Sequence, residues 1–164
     1  MIRLSLVGVR IEVPTNQPIV LLREDSGARF LPIFIAPPEA NAIVRALQGM
    51  EEHRPMTHDL FTLVLSDLAT TLERVEITEL RDGTFYAEIE LEREGEKRRI
   101  TSRPSDAIAL AVRAGKDVPI FAAEEVLDEA GVPFESDGED EESTVQEFRE
   151  FLDSVSPDDF VGEQ

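Results

Sequence analysis

A chain of 164 residues with 41% apolar and 31% charged side chains has the size of one ordinary domain with an appendage, and its net charge of −19 is unevenly spread: residues 1–134 hold 15 Lys and Arg against 23 Asp and Glu, and residues 135–164 hold 1 against 12. No window approaches the ~18 to 20 consecutive apolar residues of a bilayer span, and the N-terminal residues turn charged too soon for a signal peptide, so a membrane partner is excluded and the cytoplasm is the expected compartment. With zero Cys and only His53 and His58, no disulfide framework, thiolate zinc site, Cys nucleophile or all-histidine metal site can be built.

Residues 2–13, rich in Val, Ile and Leu, predict a first strand ended by Pro14. Residues 19–23 and 29–35 flank the turn residues Asp25, Ser26 and Gly27 and predict a hairpin. The period then changes. Pro37 and Pro38 preset a first helical turn, and residues 39–48 place Ala40, Ile43, Val44 and Leu47 at helical spacing before Gly49. Thr57 is the expected N-cap of a second, more deeply buried helix carrying Leu60, Phe61, Val64, Leu65, Leu68 and Leu72. Residues 74–80 and 85–94 flank Asp82-Gly83, a strong hairpin signal, and residues 97–101 add a strand after Gly95. In the middle of these strands Ile89 and Leu91 face one way and Glu88, Glu90 and Glu92 the other, predicting one wet face. Pro104 opens a third helix through residue 114, residues 118–121 form a short strand, and residues 124–130 form a last helix closed by Gly131.

The pattern predicts an α+β fold: a mixed, mainly antiparallel sheet packed with three main helices, plus a detached C-terminal amphipathic helix. The expected division is a domain over 1–134, an acidic disordered linker over 135–143, and a C-terminal helix and tail over 144–164. Over 144–155, Val145, Phe148, Phe151, Leu152 and Val155 fall on one stripe, a surface suited to a protein partner's groove.

Three polar clusters coincide with three predicted helix starts: Glu39 with Asn41; Thr57, His58 and Asp59; and Ser102, Arg103, Ser105 and Asp106 around Pro104. Free N–H groups and the positive end of the helix dipole can hold a phosphate there, and carboxylates can ligate a divalent cation. Each cluster also has a plain structural reading, because a hydroxyl caps a helix and an acid in the first turn complements its dipole. Two residues fit that plain reading less well. His58 is a weak helix former that titrates near neutrality, and Arg103 sits at the end of the dipole that repels a cation, which points to an anion or an acidic partner. Nucleotide cradles and the hydrolase elbow have no support, since no G-x-x-x-x-G-K-[ST], G-x-G-x-x-G or G-x-S-x-G occurs. Lys97, Arg98 and Arg99 are the one basic run, read either as a phosphate contact or as a solvated strand edge among glutamates.

Four segments carry a resemblance: residues 31–43, with Pro37-Pro38-Glu39-Ala40-Asn41; residues 54–60, Arg-Pro-Met-Thr-His-Asp-Leu; residues 83–87, Gly-Thr-Phe-Tyr-Ala; and residues 103–111, with Arg103-Pro104-Ser105-Asp106. In this order they closely resemble the bifunctional nuclease domain family, over roughly residues 2 to 131. The resemblance implies a compact mixed α/β domain and a nuclease acting on RNA and DNA with a divalent metal. The family's polar signature falls on Glu39, on Thr57, His58 and Asp59, and on Arg103, Ser105 and Asp106. Two positions depart from it: Thr101-Ser102 stand where an acidic residue is common, and Ile35-Ala36 where Ile-Gly is usual.

Two functions therefore compete. In the first, Glu39, Asp59 and Asp106 bind Mg or Mn, His58 is a general base or phosphate donor, Arg103 stabilises developing charge, and Thr57 and Ser105 bind substrate. This requires the three helix starts to converge. In the second, the clusters lock a noncatalytic regulatory module that engages a partner through residues 144–155. Net charge favours the second, because a polyanion such as nucleic acid is repelled by −19 unless basic residues cluster locally. The acidic tail could reconcile them by masking a local basic site as a polyanion mimic. An exposed strand edge adds the expectation of a homodimer.

Overall fold

Two antiparallel meanders joined by a three-residue strand make one eight-stranded sheet. The computed structural model describes residues 1–133 except 14, 28, 51–52 and 115–117, so the expected linker over 135–143 and helix over 144–155 lie outside the described residues. The first meander is β1 (Ile2–Glu12), β2 (Gln17–Glu24) and β3 (Arg29–Phe34); the second is β4 (Thr71–Arg81), β5 (Thr84–Arg93) and β6 (Glu96–Ser102). Strand β7 (Ile120–Ala122) lies between them, antiparallel to β1 and parallel to β4, and β8 (Val132–Pro133) extends the far edge along β3. The order is β6-β5-β4-β7-β1-β2-β3-β8.

The second meander turns tightly because two residue pairs accept left-handed backbone: Asp82 and Gly83 at φ 50° and 71°, and Glu94 and Gly95 at φ 55° and 83°. Consecutive positive φ angles match the right-handed twist of the flanking strands, which fixes the register. Val75 lies opposite Ile89, and Ile77 opposite Ala87, all buried.

The helices are α1 (Pro37–Leu47), α2 (Thr57–Asp67), α3 (Pro104–Arg113) and α4 (Glu124–Ala130). Helix α3 is the most enclosed. It buries Pro104, Ser105, Ala107, Ile108, Ala109, Leu110 and Ala111, packs on β4 and β5, and touches both α1 and α2. Helix α4 is tied down by Arg29, the first residue of β3, whose Nε meets Glu24 Oε2 at 3.0 Å, Nη2 meets Glu124 Oε1 at 3.1 Å and Nη1 meets Asp128 Oδ1 at 2.8 Å. Among the described residues, no helix is long and apolar enough to cross a membrane.

The sequence-based α+β class holds, and most element boundaries fall within a few residues of expectation; the two-residue β8 has no counterpart among the predicted strands. Three expectations change. Helix α2 is not the deeply buried one: none of its residues is buried, and Leu72 belongs to β4 instead. Apolar residues run nearly all round this helix, and only the side facing α3 is partly covered, so periodicity could not say how many would be enclosed. Its N-cap is Met56 rather than Thr57.

The third change concerns the glutamate face of β5, which is not wet throughout. Glu76 and Glu90 are only 4% and 6% exposed. They lie beneath the basic side chains of β4 and β6: Arg74 Nη2 meets Glu76 Oε1 at 2.9 Å and Glu90 Oε2 at 3.1 Å, Lys97 Nζ meets Glu90 Oε1 at 2.8 Å, and Arg99 Nη1 meets Glu76 Oε2 at 2.9 Å. The Lys97 hydrogen bond, helped by Arg74, holds Glu90 below the usual carboxylate range despite its burial. Lys97 and Arg99 of the basic run are thus committed to the sheet, while Arg98 stays exposed and meets Glu96 of its own strand.

Truncating the enclosed helix should be costly. Ile108→Ala on α3, where the side chain is fully buried, is expected to lower unfolding free energy by about 2–5 kcal/mol, whereas Ile100→Ala on the exposed strand β6 should cost less than about 1 kcal/mol. Urea unfolding of both variants checks the contrast.

Candidate functional site

Each of the three helix starts places a carboxylate at its third residue: Glu39 in α1, Asp59 in α2 and Asp106 in α3. At that position an acid can accept from free N–H groups and faces the positive end of the dipole. The three starts converge, though not all three carboxylates. Arg103, the N-cap residue of α3, spans two helices: Nε and Nη2 hold Asp106 as a two-pronged fork at 2.7 and 3.2 Å, while Nη1 holds Glu39 Oε1 of α1 at 2.7 Å. His58 of α2 reaches the same Asp106 through Nε2 at 3.0 Å from Oδ1. Arg103, Glu39, Asp106 and His58 form one cluster.

Its electrostatics follow from these bonds. Burial pushes the Asp106 carboxyl up, but the hydrogen bonds from Arg103 and His58, with their charges, outweigh it and hold the group below its ordinary value. Asp106 is therefore an ionised acceptor, so His58 must donate to it from Nε2, and in the neutral form of the ring the lone pair stands on Nδ1. The Asp106 and Glu39 hydrogen bonds hold the Arg103 guanidinium firmly charged. Its side chain remains 64% exposed, and two of its five N–H groups are used by neither carboxylate. Glu39 is enclosed, with Oε2 buried and lacking a hydrogen-bond partner.

Asp59 points elsewhere. Its Oδ1 accepts from Arg113 Nε at 2.6 Å and its Oδ2 from the Met56 backbone N–H at 3.0 Å, closing the start of α2 on itself. Arg113 in turn donates from Nη2 to Ala42 O of α1 at 2.8 Å and from Nη1 to Ala109 O. Arg113 thereby staples α1, α2 and α3 beside the cluster. Sequence reasoning missed it, because a basic residue in the last turn of a helix is accounted for by the dipole and nothing in its spacing marks a partner 54 residues away. Thr57 is exposed at the first residue of α2, and Ser105 is buried at 6% exposure in the first turn of α3.

The expected metal ligands Glu39, Asp59 and Asp106 do not form a cation cage as they stand. Among the described residues, no group of three or more His, Asp and Glu is disposed to hold a metal ion. The reason lies in the pairings: the guanidinium of Arg103 takes the place between Glu39 and Asp106, and Arg113 takes Asp59.

Fold and cluster together define an α+β domain whose three helix N-termini meet at a corner of two carboxylates, a histidine and one exposed guanidinium, and that guanidinium, beside free helix N–H groups, is the part suited to an anion. Residues 20–135 match the model of the bifunctional nuclease domain, and the chain belongs to that family. The match begins within β2, so β1 lies outside it. The chain is also similar to two proteins of Mycobacterium tuberculosis, Uncharacterized protein Rv1829 of strain H37Rv and Uncharacterized protein MT1877 of strain CDC 1551; each is 48% identical over 161 residues, covering 94% of this chain and 95% of the relative.

The Asp59–Arg113 staple has a pH signature. The Arg113 hydrogen bond, against some burial, holds Asp59 below the ordinary aspartate value of 3.8. A carboxyl depressed in the folded state stabilises the fold above its unfolded pKa and loses that contribution as pH falls through the folded one. Asp59→Asn should therefore lower the melting temperature at pH 7, and the difference from the parent should close as pH falls below 3.8. Thermal melts between pH 7 and pH 2.5 provide the check.

Proposed function

We propose that the chain is a nuclease hydrolysing phosphodiester bonds of RNA and DNA at the Arg103–Asp106–His58 cluster. The observation that carries this reading is an exposed, permanently charged guanidinium fixed by two carboxylates beside a histidine oriented by one of them. Family membership supports it.

In this reading nucleic acid is the partner, and it approaches a local cation on an otherwise acidic chain. Arg103 donates its two unused N–H groups to a nonbridging phosphate oxygen, where charge grows in the transition state. The exposed Thr57 hydroxyl donates to the same phosphate group. Asp106 fixes the His58 ring so that Nδ1 takes the proton of the nucleophile, the 2′-hydroxyl in RNA or a water in DNA. The attacking oxygen forms the new P–O bond, the P–O5′ bond breaks with its electron pair going to O5′, and that oxygen takes a proton from the imidazolium; in DNA this completes hydrolysis, whereas in RNA it leaves a 2′,3′-cyclic phosphate, which a water deprotonated by Nδ1 opens as the P–O2′ bond breaks and O2′ takes the proton back. Ser105, being buried, steadies the first turn of α3, and Asp59 positions α2, and with it His58, through Arg113.

Mg or Mn is the cofactor that the resemblance implies, and the donors as paired do not fit it. Of these carboxylate oxygens, Glu39 Oε2 alone has no hydrogen-bond partner, while both oxygens of Asp106 are held by Arg103 and His58 and Asp59 is held by Arg113, so a three-carboxylate cage would require those pairings to open, and the proton and phosphate steps fall to His58 and Arg103. The competing reading, a noncatalytic interaction module engaging a protein partner through residues 144–155, is favoured by these same internal pairings, which would then serve only as a lock.

Cleavage of labelled RNA and DNA by the purified chain, with Mg²⁺, with Mn²⁺ and with EDTA, separates the readings. His58→Ala and Arg103→Ala are each expected to reduce cleavage about 10²–10⁴-fold. RNA cleavage should persist in EDTA, and complete loss restored by metal would mean that the carboxylates reassemble around an ion. Variants that cleave like the parent but melt at lower temperature would leave the lock alone standing.

A further inference from the structure

Helix α2 presents an apolar ridge that the described residues leave uncovered. Leu60, Phe61, Leu63, Val64 and Leu68, on and just after this helix, are 44–56% exposed, and Met56 at its N-cap is 46% exposed. Met56, Leu60, Val64 and Leu68 are spaced four residues apart, so they stack into one continuous row along the helix. Open grooves run beside it: one of about 510 Å³ is lined by Leu63, Val64, Ser66, Asp67 and Leu68, and one of about 350 Å³ is lined in part by Thr62, Leu65 and Leu110. An isolated helix of 11 residues is marginal in water and depends on packing of an apolar face, yet α2 buries none of its residues.

We propose that this ridge is the interface of a symmetric homodimer in which α2 of one protomer packs against α2 of a second copy. Three features favour a second copy over other occupants. The first is charge. A chain carrying −19 repels its own copies over most of its surface, but α2 contains no Glu, Lys or Arg; Asp59 is tied to Arg113, and Asp67, on the groove with Leu63, Val64 and Leu68, is the one carboxylate that a second copy must leave at the rim. The second is shape. A row of i, i+4 side chains fits the groove beside the same row on an identical helix, and a two-fold axis brings the same patch to both sides. The third is area. Six large side chains at about half exposure present roughly 500 Å² of apolar surface, the centre of an interface of about 800 Å² per partner whose polar rim supplies the remainder. A membrane surface fits poorly, since an interfacial helix carries Lys and Arg on its polar side and α2 has neither.

Sedimentation equilibrium of the full chain over a concentration series tests this. The parent should sediment at twice the mass of one chain, and Val64→Glu should weaken association at least 100-fold, because the two-fold axis sets the new carboxylates against each other. Circular dichroism should show that Val64→Glu keeps its secondary structure, as a half-exposed position permits. Because the chain has no cysteine, a single introduced thiol reads without background. Val64→Cys should give a disulfide-linked dimer on mild oxidation, and Ile100→Cys on the edge strand β6 should not. A parent that is monomeric at every concentration, a dimer that survives Val64→Glu, or cross-linking at 100 in place of 64 would each overturn the proposal and assign the ridge to another occupant.

Discussion

The polar corner exists because α3 is buried. A helix rich in Ala, wedged between α1 and α2 and pressed on β4 and β5, has almost no freedom to slide or rotate, so its N-cap residue is delivered to one place. Arg103 stands there at the unfavourable end of its own helix dipole and is compensated by Asp106 of the same turn and Glu39 of the next helix. The arginine is the centre about which α1 and α3 are indexed, and the histidine of α2 is added through the carboxylate already ionised by that arginine. Removing the burial of α3 would dissolve the corner even with every polar residue intact.

The molecule distributes its cations in two ways. Arg74, Lys97 and Arg99 are spent on Glu76 and Glu90, carboxylates that face away from solvent and need charged partners. Arg29 is likewise spent on Glu24 and the start of α4. Lys97 and Arg99 are also exposed, so what sets Arg103 apart is its place: it is fixed at the N-termini of α1 and α3, beside His58, with two N–H groups used by neither carboxylate. On an acidic surface, a pinned guanidinium with N–H groups to spare is a point where an anion can be received, and this separates a binding group from a structural one more sharply than any count of basic residues.

The fold was largely legible because its signals are local. Asp82-Gly83 and Gly95 dictate their turns, Pro37, Pro38 and Pro104 dictate helix starts, and Ile89 and Leu91 mark a packed face. The convergence of the helix starts was legible only as a requirement, since nothing in the spacing of residues 39, 58 and 103 says that α3 will stand between α1 and α2. Three features were hidden for physical reasons. The exposure of α2 depends on how many neighbours the topology supplies to a helix that is apolar nearly all round. The burial of Glu90 depends on a basic row from two neighbouring strands closing over it, which alternation within one strand cannot reveal. The role of Arg113 depends on a partner in another helix.

The seam made by β7 carries a mechanical implication. The two meanders share one sheet through Ile120–Ala122, paired with Ile2–Leu4 on one side and Val75–Ile77 on the other, with Val75 N–H to Pro119 O and Ala123 N–H to Ile77 O at its ends. Each hairpin has a longer ladder than this junction. Loss of this short, buried pairing would divide the sheet into two antiparallel blocks, so the continuity of eight strands rests on three residues and on the helices that pack across them.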